Sequence, residues 1–162
     1  MPVTEAEVLA LRRDHPGIGV LARETRPTTL LMARWRALLA AQPLTGQPDV
    51  VAVTVGMRGI AGGGSWIRQD YGLVLDVSAL HRRLPTVWIT APTDVQIRHV
   101  NIWRSADDGA WCPWLGMRLP YVCWFTYADA WSGASPSNRT LGAALEYVKQ
   151  LLNTENHDSP AR

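Results

Sequence analysis

The sequence predicts an α+β domain: an N-terminal helix, an antiparallel meander of about four strands, a long irregular segment, and a C-terminal helix packed on the sheet. Three observations predict it. β-Branched runs at Asp49 to Met57, Tyr71 to Val77 and Thr86 to Thr90 follow one another with tight links, a pattern of antiparallel pairing. An apolar stripe of helical period, Leu141, Ala144, Leu145, Val148, Leu151 and Leu152, lies near the end of the chain. The 162 residues, 47% of them hydrophobic, suit one domain over 1–162 with a proper core.

Thr4 to Arg13 reads as a short helix: Thr4 can cap it, acids lie in its first turn and arginines in its last, and Pro16-Gly17 stands beyond the end. Thr29 to Ala41 reads two ways. Leu31, Trp35, Leu38 and Leu39 fit a helical stripe, whereas Ala33, Trp35 and Ala37 alternating with Arg34 and Arg36 fit a half-buried strand. The strand from Asp49 to Met57 is followed by the glycine-rich run Gly59 to Ser65. That run lacks the Gly-Lys-Ser/Thr ending of a nucleotide loop and the spacing of a dinucleotide fingerprint, so it is expected to be a hairpin connection.

Pro113 to Asp129 is aromatic and is expected to be irregular or short-stranded. Thr140 caps the last helix, through Leu152, and Asn153 can end it.

No apolar run approaches the ~18 residues of a membrane span, and Met1 to Asp14 is too charged for a secretory signal. A cytoplasmic protein with no membrane partner is expected. The two cysteines are then free thiols, and nothing resembles a paired zinc motif. His81, His99 and His157 are scattered, so neither a metal nor a cofactor is expected. Net charge is only +2 with the basic residues dispersed, so nucleic acid is not demanded as a partner. Of the eight tryptophans, Trp103, Trp111, Trp114, Trp124 and Trp131 crowd one region, where burial accounts for them better than base stacking. Lys149 is the only lysine among sixteen basic residues.

The stretch from His99 to Leu115 carries the chemistry. Cys112 follows a polar turn, and Asn101 lies upstream of it. A thiol is a strong nucleophile, and a carboxamide is a neutral donor for a developing oxyanion. A buried cysteine acting as a small hydrophobe is the competing reading. Cys123, set among Val122, Trp124 and Phe125, is expected to be buried and unreactive, leaving Cys112 as the sole acceptor thiol.

His99-Val100-Asn101-Ile102 resembles the His-Pro-Asn-Ile motif of ubiquitin-conjugating enzymes, and Gly109-Ala110-Trp111-Cys112 resembles the Gly-x-Ile-Cys that follows it there. Val100 replaces the proline, and the loop from Asn to Cys is longer than in the simplest members. Weaker similarities flank this core. Leu9 to Pro16 resembles the end of the family's first helix, Met32 to Ala37 its Trp-bearing second strand, and Leu80 to Val87 its connection between central strands. Trp131 resembles the tryptophan after the active cysteine, across a longer loop, and Thr140 to Pro160 resembles the following helix and its Pro-Asn-x-Asp-x-Pro tail.

The resemblance implies a shortened form of the fold, as in bacterial ubiquitin-like conjugation systems. It implies that Cys112 takes a ubiquitin-like protein as a thioester from an activating enzyme and passes it to an amine or other nucleophile on a target protein. Asn101 would serve the oxyanion or hold the loop, two roles that are compatible. Asp107, Asp108 and Asp158 are the carboxylates expected to assist an incoming lysine, with Ser159 at the place of the family's acidic gate residue. His99 is expected to anchor the turn. Two other readings are an inactive module of the same fold that only binds a ubiquitin-like protein, and a cysteine hydrolase, for which no histidine stands in a recognised spacing.

Overall fold

The computed structural model describes residues 2–24, 49–125 and 127–161. The ambiguous segment Thr29 to Ala41 lies outside them. Among the described residues the fold is α+β, with three helices and a six-stranded antiparallel sheet. The helices are α1 (Glu5–Ala10), α2 (Ala128–Gly133) and α3 (Leu141–Asn153). The strands are β1 (Gly19–Arg23), β2 (Val50–Gly62), β3 (Ser65–Asp76), β4 (Thr86–Ala91), β5 (Ile102–Trp103), β6 (Trp111–Cys112), β7 (Met117–Arg118) and β8 (Tyr121–Val122). The sheet runs β1-β2-β3-β4-β8-β5, and β6 pairs with β7 as a separate hairpin.

Both predicted helices form where their caps stand. The Thr4 hydroxyl accepts the Glu7 N–H and the Thr140 hydroxyl accepts the Ala143 N–H, each at 3.2 Å. A carboxylate oxygen of Glu7 in turn accepts the Leu141 N–H at 3.0 Å, so the first turn of α1 also caps the start of α3.

Strand alternation then sorts the side chains. Val53, Val55 and Met57 pair with Leu75, Leu73 and Tyr71, and Leu73 and Leu75 pair with Ile89 and Val87. All of them enter the main core, which also takes the whole apolar stripe of α3. Each fully buried Leu or Val of this set contributes ~1.5–3 kcal/mol relative to exposure. Val74 and its partner Trp88 point to the opposite face and seed a second, smaller cluster with Cys112 and Leu119.

The strands run further than expected. β2 continues through Gly59 to Gly62, and only Gly63 and Gly64 form the hairpin turn. The reason is an approach that glycine alone permits: a Cβ on Gly59 would stand 2.5 Å from the Leu152 carbonyl oxygen, where α3 crosses β2. β1, β5, β8 and α2 are additional elements; each has six residues or fewer, too short to leave a periodic trace in the sequence.

Residues 104–120, between β5 and β8, leave the sheet edge and fold over the outer face. Arg118 holds this excursion closed, its guanidinium donating to the carbonyls of Ser105, Ala106 and Asp107 at 2.6–3.1 Å. The Asp107 carboxylate accepts the Arg104 N–H at 2.8 Å, and the Tyr121 hydroxyl donates to the Asp108 carbonyl. None of the described helices is long and apolar enough to cross a membrane.

Candidate functional site

Because the excursion closes on itself, the residues at its two ends become neighbours. Trp103 pairs with Tyr121 and Ile102 with Val122, and the Cys123 N–H donates to the Asn101 carbonyl at 2.8 Å. The thiol brought beside Asn101 is therefore that of Cys123, twenty-two residues away in sequence.

Asn101 itself is 4% exposed and fully engaged. Its Nδ2 donates to the carbonyls of Leu151 at 3.1 Å and Thr154 at 2.8 Å, and its Oδ1 accepts the Asn156 N–H at 3.2 Å. One carboxamide thus satisfies two carbonyls left without helical partners at the end of α3 and one N–H of the segment beyond it. Both amide hydrogens are committed, so this arrangement is that of an anchor holding the turn to the helix end. The Asn101 N–H donates to His99 Nδ1 at 3.3 Å, which leaves the ring proton on Nε2. Burial lowers the His99 pKa, while the nearby Glu155 carboxylate and a backbone bond at Leu152 act to raise it. The expected turn-anchoring role of His99 agrees with this geometry.

A cavity of about 190 Å³ opens beside Asn101. Cys123, Phe125 and Tyr127 line one part of it, and Leu151, Thr154, Glu155, Asn156 and Ser159 the rest. Cys123 is 8% exposed, as expected for a residue of that run, while Phe125 is 64% exposed. Ser159 is buried; its N–H donates to the Asn156 carbonyl at 3.0 Å and its hydroxyl accepts the Ala161 N–H at 3.3 Å. Glu155 is the carboxylate among the lining residues. Its oxygens accept the Gly63 and Gly64 N–H groups at 2.7 and 2.8 Å. Partial burial opposes its charge, but those two bonds, with His99 and His157 nearby, hold the carboxyl below its ordinary range.

The residues singled out in the sequence are divided between two places. Cys112 has no exposed surface and packs with Val74, Trp88 and Leu119 on the outer face of the sheet; it does not line this cavity. Asp107 serves the excursion, and Asp158 is exposed and outside the cavity lining, its N–H donating to Asn156 Oδ1 at 3.0 Å. Glu155 and Cys123 are the chemically capable residues that spacing did not bring forward. The available signal was the pair of short apolar runs, Ile102-Trp103 and Tyr121-Val122, on either side of the excursion.

Among the described residues no group of three His, Cys, Asp or Glu side chains could hold a metal ion. No family model, curated protein or solved structure matches the chain.

Proposed function

We propose that this chain is a ubiquitin-conjugating-like thioester carrier, and that Cys123 is the acceptor thiol. The observation that carries the reading is the shared cavity of Cys123 and Asn101 beside the end of α3. The sequence likeness to ubiquitin-conjugating enzymes supports it in the same sense. Val122-Cys123 is as good a counterpart of the family's Ile-Cys as Trp111-Cys112, and it shortens the interval to Trp131 that was too long from Cys112. In this reading residues 104–120 are an insertion between the asparagine and the active cysteine, and Cys112 anchors that insertion.

The chemistry asks little beyond position. The Cys123 thiolate attacks the thioester carbonyl presented by an activating enzyme, the donor thiolate leaves, and the acyl group of a ubiquitin-like protein passes to Cys123 sulfur. An amine of a target protein then attacks that carbonyl, loses one proton to water, and expels the Cys123 thiolate as the amide forms. Asn101 acts by fixing the turn and the start of the tail against α3, so that thiol, tail and helix end keep one geometry.

The test is loading from a small activated thioester, the mercaptoethanesulfonate thioester of acetylglycylglycine, followed by peptide mapping. A hydroxylamine-sensitive acyl group on Cys123 is expected. The burial of both thiols favours one other reading, a module of the same fold that docks a ubiquitin-like protein without carrying it. That reading predicts binding with no acyl adduct on either cysteine.

A further inference from the structure

We propose that a second cavity, between the excursion and the end of the tail, binds a small phosphate ester carrying a flat ring, with the phosphoryl group held by Arg98 and Arg104 and the ring against Trp103. The site shares no lining residue with the Cys123 cavity, and the proposal does not rest on the thioester reading.

The cavity measures about 390 Å³, and Arg98, His99, Trp103, Arg104, Asp107 and Ala161 are among the residues that line it. That volume falls within the roughly 300–1,000 Å³ of small-molecule sites. The backbone fixes the root of each cation. Arg98 forms a bridge with Gly62, and a Cβ on Gly63 would stand 3.4 Å from Arg98 Cβ, so the glycine turn closes on this residue. Its side chain is exposed and, among the described residues, makes no ion pair or hydrogen bond. Arg104 is half-buried, and its Nη1 donates to the Asp94 carbonyl at 2.8 Å. One donor of the guanidinium is thereby spent on orienting the group, and the rest of the fork is left for an acceptor.

Asp107 is the one carboxylate of the lining, and one of its oxygens accepts the Arg104 N–H at 2.8 Å. Two guanidiniums against one carboxylate leave the lining cationic, and a planar guanidinium takes a phosphoryl group through paired, charge-assisted bonds. The indole decides between a free phosphate and an ester. Trp103 is half-buried and stacks on Tyr121 with ring centroids 6.2 Å apart and 18° between planes, while the Tyr121 hydroxyl donates to the Asp108 carbonyl. Trp103 is thus a rigid aromatic wall beside the two cations. A bare phosphate makes no use of such a wall, whereas a flat ring gains by packing on it.

The test is calorimetric titration of the full-length protein with adenosine 5′-monophosphate, with adenosine and inorganic phosphate as separate arms. The wild type is expected to bind the ester about tenfold more tightly than either fragment. Arg98→Gln changes an exposed side chain with no bond to lose, so it should leave the melting temperature in place and weaken the ester by about tenfold. Arg104→Lys keeps the charge and removes the fork, and should also weaken it. Trp103→Leu should weaken the ester and leave the affinity for inorganic phosphate as it was. Binding of the ester to the wild type should fall between about 0.1 M and about 1 M salt, as the screening length shortens from ~10 Å to ~3 Å. No ester binding by the folded wild type at millimolar concentration, equal affinity for adenosine or for inorganic phosphate, or an affinity unchanged in Arg98→Gln and Arg104→Lys would each overturn the proposal.

Discussion

The Asn101 carboxamide ties the turn ahead of β5 to the end of α3, donating to Leu151 O at 3.1 Å and Thr154 O at 2.8 Å while accepting the Asn156 N–H at 3.2 Å. A buried polar hub of this kind is costly to break, because its removal strands partners that water cannot reach. Asn101→Ala is expected to destabilise the protein by about 2–3 kcal/mol, seen as a lower midpoint in chemical denaturation. If Asn101 acts as an anchor, loading and discharge of Cys123 fall together in this variant. A selective loss of discharge with normal loading would restore the oxyanion role.

Cys112 packs in one buried cluster with Val74, Trp88 and Leu119. Cys112→Ala is expected to cost about 1–2 kcal/mol through the cavity it leaves, and Cys112→Ser more, since it buries a hydroxyl among apolar neighbours. Thermal melts of the two variants check the order. Both should still load at Cys123.

Gly62 packs against the turn that carries Asn101. A Cβ there would stand 2.4 Å from His99 Cα, on a backbone with φ of 82°. Gly62→Ala therefore combines a clash with backbone and left-handed strain, and a loss of more than ~2 kcal/mol is expected. Gly64 has a similar φ, but a Cβ there meets nothing within 4 Å. Gly64→Ala should cost only the strain, about 1 kcal/mol, and denaturation of the pair separates the two effects.

Acid should weaken the fold in two stages. Burial holds His99 below its ordinary 6.5, so just below that value the unfolded chain binds a proton that the native state does not. The stability from neutral His99 is present above 6.5 and is lost as pH falls below it. Glu155 is held below its ordinary 4.5 despite partial burial, chiefly by the Gly64 and Gly63 N–H groups, so its contribution is present above 4.5 and lost as pH falls through its native value. Melting temperatures should decline as pH falls below 6.5 and again as it falls below 4.5, and His99→Gln should start lower and lose the upper decline. A slope unchanged by the substitution would show that His99 does not titrate as its burial implies.

The legible part of the fold was the part with period or caps. Thr4 and Thr140 announced their helices, the α3 stripe is buried residue for residue, and the β-branched runs placed β2 to β4. Short elements were not legible, because β5, β8 and α2 owe their form to neighbours and not to pattern. The candidate site was legible in part. Asn101 and His99 were marked by their turn, and both are buried, with Asn101 at the cavity lining. The thiol that shares the cavity was hidden by topology: residues 104–120 fold away, so nearness along the chain favoured Cys112 while nearness in space belongs to Cys123. Glu155 was hidden for the same reason, since its partners Gly63 and Gly64 lie some ninety residues earlier.

Acceptance of the acyl group by Cys123 is read by intact mass and peptide mapping of wild type, Cys112→Ala and Cys123→Ala after incubation with the mercaptoethanesulfonate thioester of acetylglycylglycine. One hydroxylamine-sensitive acyl group is expected on the wild type and on Cys112→Ala, mapped to Cys123, and none on Cys123→Ala. An acyl group that persists in Cys123→Ala and disappears in Cys112→Ala, or its absence from the folded wild type, would overturn the assignment to Cys123.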